Sequence, residues 1–158
     1  LNSDVAEIDS VSYWNDTTAS ASVFSLGDDT MINKTDQTML AYCFHSIEGY
    51  SKVGKYTGNE NADGTFIYTG FKPAFVLNKD TTGANSWQIV DNKRNAYNLA
   101  DNRLVPNSTA AASTNVDCYD FVSNGFKIRT ADGNFNTNNN VYIYIAFAES
   151  PFKTSNAR

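Results

Sequence analysis

Histidine occurs once in this chain of 158 residues, cysteine twice and proline three times. A lone His45, with no Ser or Cys that sequence can pair with it, gives no nucleophilic triad. His45, Cys43 and Cys118 stand at scattered spacings and make no zinc ligand set. The two cysteines allow one disulfide, but spacing fixes no geometry. The other reading of Cys43 is a small buried hydrophobe within a strand. Charge is scarce as well: charged residues are 18% of the chain and the net charge is −5. Phosphate backbones need a basic face, so no nucleic-acid partner is expected. No apolar run approaches the length of a membrane span and no signal peptide is visible, so no membrane insertion is expected. The chain opens on Leu1, not Met, and sequence ahead of it is expected to have been removed or left out. Asp117 and Asp120, the close acidic pair late in the chain, flank a strand and a turn and do not form a facing carboxylate pair for glycoside hydrolysis. The chain is not expected to be an enzyme.

Asn, Ser and Thr supply the polarity that charge does not, a composition suited to loop-rich extracellular β proteins. The length fits one domain with a proper core. Residues 141–148, Val-Tyr-Ile-Tyr-Ile-Ala-Phe-Ala, organise the rest. They are β-branched and aromatic, bounded by Asn138-Asn139-Asn140 and by Ser150-Pro151, and predict a central strand. Val141, Ile143, Ile145 and Phe147 are expected to face the core, Tyr142 and Tyr144 the opposite side. Further strands are expected at 23–26, 38–45, 54–57, 66–68, 74–79, 87–90, 104–105, 119–122 and 126–129. Asp63-Gly64, Asp80-Thr81-Thr82-Gly83 and Ser123-Asn124-Gly125 read as turns. With no helix predicted, the fold class is all-β, an antiparallel sandwich. Phe24, Phe44, Phe75, Phe126 and Phe147 are expected in its core.

The tail of the chain repeats its beginning. Phe24 matches Phe126 at an offset of 102, Phe44 matches Phe147 at an offset of 103, and Asn2-Ser3 matches Asn107-Ser108 loosely. Residues 1–52 therefore read as the back half of one repeat and 53–158 as one full repeat of roughly a hundred residues. Both are expected to share one sandwich, 1–158, because neither covers its apolar faces alone.

Several pieces occur in order: Glu48-Gly49-Tyr50-Ser51-Lys52, Tyr56-Thr57-Gly58-Asn59, Thr69-Gly70-Phe71-Lys72-Pro73-Ala74-Phe75-Val76, Ser86-Trp87-Gln88-Ile89, Ser123-Asn124-Gly125-Phe126-Lys127 and Tyr144-Ile145-Ala146-Phe147-Ala148-Glu149. Together, from about residue 16 to residue 158, they resemble a repeat module of tail-fibre and other virion structural proteins of marine tailed bacteriophages. That family is similar to concanavalin/laminin-G-like jelly rolls. The resemblance implies a jelly-roll sandwich on the surface of a virion, in a homo-oligomer, a trimer foremost, beside other virion proteins. It carries over no catalytic residue. A host surface glycan is a further partner to consider, and a carbohydrate-binding, lectin-like module of a secreted or adhesive protein is the alternative function.

Among candidate sites, Asp28, Asp29, Asp132 and Asn134 sit in oxygen-rich loops that suit calcium, although none has the alternating ligand pattern of a dedicated loop; solvated turns are the plainer reading. No other cofactor is expected. Trp87, Tyr97 and Tyr119, beside loops, suit a sugar-binding face. Tyr142 and Tyr144 are expected at a subunit contact, on a strand face better covered than left in water. Asp91 and Arg94 suit a loop salt bridge.

Overall fold

The computed structural model describes residues 4–95 and 97–152. The chain divides into two compact units, Leu1–Glu7 with Phe44–Arg158, and Ile8–Cys43. The boundary falls near residue 43, ahead of the 52/53 boundary that the repeat predicts.

In the smaller unit a single helical turn, α1 (Val11–Trp14), ends at Asn15 in the left-handed region. Gly27 N–H donates to Tyr13 O at 2.7 Å and Asp29 N–H to Ser12 O at 3.0 Å, while Trp14 meets Phe24 edge-on at 6.5 Å. The strands expected at 23–26 and 38–45 are not formed. Strand residues hold their conformation through ladders to neighbours, and here those neighbours are missing. Phe24 and Phe44, expected in the core, are exposed, and so is Cys43.

The larger unit carries the strands β1 (Ser51–Thr57), β2 (Phe66–Tyr68), β3 (Pro73–Asp80), β4 (Gln88–Asp91), β5 (Arg103–Leu104), β6 (Tyr119–Val122), β7 (Gly125–Ile128), the one-turn helix α2 (Gly133–Asn136), and β8 (Val141–Ala148). All pairings are antiparallel. They form a five-stranded sheet in the order β1-β8-β3-β4-β5 and a three-stranded sheet in the order β2-β7-β6. The fold is an antiparallel all-β sandwich, and β8 lies inside the large sheet, hydrogen-bonded on both sides. The Ser123-Asn124 turn joins β6 to β7, with Val122 opposite Gly125. In the Asp80 turn the carboxylate accepts from Thr82 and Gly83 N–H, at 2.9 Å each.

The face assignment of β8 is the reverse of the expectation. Tyr142, Tyr144 and Ala146 are buried against the small sheet, where Phe126 and Tyr144 meet edge-on at 5.4 Å. Val141, Ile143, Ile145 and Phe147 point outward, with Ile143 exposed. Both faces are apolar, so alternation alone cannot choose between them. The tyrosine hydroxyl decides it: Tyr142 Oη donates to Gly133 O at 2.7 Å and accepts from Thr137 N–H at 2.9 Å, so burial leaves no polar atom unpaired. The ring of Tyr144 needs room beside it. Gly54 lies opposite on β1, and a Cβ there would stand 2.9 Å from the Tyr144 hydroxyl. Of the five phenylalanines expected inside, Phe126 is fully buried, whereas Phe75 and Phe147 are half-buried on the outer face.

One end of the sandwich is closed by α2, pinned by buried amide side chains. Asn136 Nδ2 donates to Asn59 Oδ1, Asn61 O and Thr130 O, and its Oδ1 accepts from Asn59 N–H. Asn78 Nδ2 donates to Asn134 O, and Gln88 Nε2 to Asn134 Oδ1, at 3.0 Å each. Asn136, buried, and Asn134, half-buried, thus turn a loop that reads as solvated turns into a polar plug held by β3, β4 and the loops at 59–61 and 130.

Candidate functional site

Residues directly paired across strands share a face. On the outer face of the large sheet, Val53 pairs with Ile145, Ile145 with Leu77, Leu77 with Ile89, and Ile89 with Leu104. These five apolar side chains run in one row across all five strands. Val53 and Leu104, at the ends, are exposed, and the three between are half-buried. An antiparallel sheet with one solvated face ordinarily turns polar residues outward; this row does not, although Lys55, Lys79 and Asp91 share the face nearer its ends. Beside the row lies an aromatic group centred on Phe147. Phe44, Tyr50 and Phe75 have ring centroids 6.3, 5.8 and 5.9 Å from it, and Tyr50 stacks on Phe152 at 5.5 Å. Phe44, Tyr50 and Phe152 remain exposed. The row and the aromatic group make one apolar surface, the most conspicuous feature of the sandwich exterior.

At the other end of β8 the face changes character. Lys79, paired with Ile143 and nearly buried, donates its Nζ to Asp80 O and Asp4 O. Loss of solvent pulls its ammonium below its usual range. Glu7 N–H donates to Thr81 O at 2.8 Å, and between these segments opens a cleft of about 360 Å³ lined by Val5, Glu7, Lys79, Thr81, Trp87 and Ile143. Next to it Asp80 is fully buried. Burial opposes its charge, but hydrogen bonds from Gly83, Asn140, Asn85 and Thr82 outweigh that and hold the carboxyl below the usual carboxylate range.

The structure disperses the other predicted site residues. Tyr97 is 86% exposed and borders a second cleft, of about 220 Å³, with Lys72, Asn92, Asn98 and Glu149. Tyr119 is fully buried and donates its hydroxyl to Asn78 Oδ1 at 2.6 Å, so it faces no ligand. Tyr142 and Tyr144, expected at a subunit contact, lie between the sheets and offer no surface. Asp132 caps α2: its Oδ1 accepts from Asn134 N–H and Nδ2 at 2.8 Å each, and its Oδ2 faces Arg103 at 3.5 Å. Asp29 Oδ1 accepts from Met31 N–H, within the smaller unit. Among the described residues no group of three or more His, Cys, Asp or Glu side chains is placed to share a metal ion. Cys118 is a free thiol, pushed up to about 12 by burial. His45 is exposed and its ring Nδ1 lies 2.9 Å from Ser46 O. Asp91 and Arg94 do pair, at 2.7 Å. The outer face is not legible in the sequence: Ile145, Phe75 and Phe147 read as core residues there, and Val53, Leu77, Ile89 and Leu104 join them only through cross-strand register.

The model of one protein family, a domain of unknown function (DUF7483), matches residues 1–151. No curated protein and no solved structure matches the chain.

Proposed function

The chain belongs to the DUF7483 family, and we infer that it serves as a non-enzymatic structural module of a bacteriophage virion, in a tail fibre or another surface appendage. The observation that carries this reading is the apolar row Val53–Ile145–Leu77–Ile89–Leu104 with its aromatic flank. Apolar surface that crosses a whole sheet is stable in solution only when something covers it. In a fibre the cover is another copy of the module, related by a rotation axis, with three-fold closure the arrangement favoured here. The resemblance to phage fibre repeats and the scarcity of charge support the same reading. A jelly-roll connection of the strands is part of the proposal. The test is mass spectrometry of particles purified from the phage whose genome encodes the chain, with immunogold labelling by antibodies to it. Labelled appendages are expected; a chain found only in the host lysate, absent from particles, contradicts the reading.

A second reading is a glycan-binding module. The observation favouring it is the Trp87 cleft, which Glu7 and Thr81 also line; an aromatic residue beside polar ones suits a pyranose ring. Titration with host surface glycans tests it: binding that disappears in Trp87→Ala supports this reading, and no binding by the native chain removes it.

A further inference from the structure

The smaller unit is apolar without being a core. No described residue from 4 to 50 is buried, yet a groove of about 480 Å³ in this unit is lined by Trp14, Phe24, Leu26, Met31, Met39 and Leu40, among others. The internal repeat explains what these residues are. Phe24 and Leu26 stand where β7 has Phe126 and Ile128; they are 43% and 39% exposed, their counterparts 0%. Met39, Ala41 and Cys43 stand where β8 has Tyr142, Tyr144 and Ala146, the inward row. Met39 is 46% exposed, Tyr142 and Ala146 0%, and Cys43 is exposed. Every position that β7 and β8 bury is apolar in the smaller unit too, and none is covered. The backbone tells the same story: β8 is paired along both edges, whereas among the described residues 38–44 make no hydrogen bond at all. Such a segment is a strand without its sheet.

We propose that residues 8–43 are the closing half, the β7 and β8 equivalents, of a second sandwich, completed by a further copy of the repeat's front half, the counterpart of 51–106, joined in tandem register. The occupant follows from the interface already present in the chain: β8 sits between β1 and β3, and β7 pairs with β2 along one edge; all three lie within 51–106, so the missing neighbours are those strands again. The register places the joint: Asn2-Ser3 matches Asn107-Ser108, so the front half belongs directly ahead of Asn2.

The experiment duplicates residues 51–106 ahead of Asn2 in the full chain and follows thiol labelling by an aromatic disulfide reagent under native conditions. The duplicated segment contains no cysteine, so Cys43 and buried Cys118 remain the two thiols, and Cys43 is the exposed one. Labelling of Cys43 is expected to be rapid in the native chain and at least tenfold slower in the extended one, with Trp14 emission shifted to the blue. A second extended chain carries Val76→Asp in the duplicated segment only, spoiling the inward face of its β3 equivalent. It is expected to label as fast as the native chain while the original sandwich melts unchanged. Equal labelling in the native and extended chains overturns the proposal. Protection that survives Val76→Asp overturns it as well, because any cover would then serve. Protection of Cys43 in the unextended chain, appearing with a dimeric mass, assigns the groove to a second copy and overturns it too.

Discussion

Tyr119 and Asn78 join the two sheets: the tyrosine on β6 donates its hydroxyl to the asparagine Oδ1 on β3 at 2.6 Å, both residues fully buried. Asn78 then passes the connection to α2 through its Nδ2 and Asn134 O. Replacing Tyr119 by Phe keeps the ring and orphans a buried carbonyl oxygen. A loss of about 1–3 kcal/mol is expected, read as a lower urea midpoint at unchanged slope.

Asp80 gives the sandwich an acid-sensitive end. Its carboxyl is held below its unfolded value, about 3.9, by the hydrogen bonds of Gly83, Asn140, Asn85 and Thr82 prevailing over burial. A depressed carboxyl contributes stability that is fully present above the unfolded pKa and is lost as pH falls through the folded one. The melting temperature is therefore expected to fall below about pH 4, and more steeply in the native chain than in Asp80→Asn. That variant turns an amide against the donors of Asn85 and Asn140 and is expected to lose about 1–3 kcal/mol at neutral pH. Parallel melting curves at pH 3 and pH 7 would remove Asp80 from this role.

The Asn136 amide fastens α2: its two N–H hydrogens are shared among Asn59 Oδ1, Asn61 O and Thr130 O, and its Oδ1 accepts from Asn59 N–H. Asn136→Ala leaves Asn59 N–H and two carbonyls without these partners. A cost of about 2–4 kcal/mol is expected from several orphaned groups together, with faster amide exchange across 133–136 as the local readout.

Much of this was legible in the sequence, and the failures have physical causes. The ends of β8 were plain because β-branched and aromatic residues stop at asparagines and a proline. Its sidedness was not, since Tyr142 and Ile143 are both large and apolar and only a tertiary partner, Gly133 O, tells which is buried. Tyr119 read as a loop-side aromatic because nothing local announces Asn78 from 41 positions away. The strands expected at 23–26 and 38–45 carry the right residues and lack neighbours; propensity does not make a sheet alone. The asparagines at 134 and 136 looked solvated because composition cannot distinguish a turn from a buried plug.

The outer face of the large sheet is the centre of the account, and its direct test is the mass of the chain in solution by sedimentation equilibrium at tens of micromolar. Native protein and Ile145→Lys are compared, since Ile145 is half-buried at the middle of the apolar row and reaches no part of the inner core. The native chain is expected to sediment as an oligomer, and Ile145→Lys as a monomer with the same circular dichroism. A native chain that is monomeric, or a variant that keeps the native mass, would contradict the assignment of this face to subunit contact.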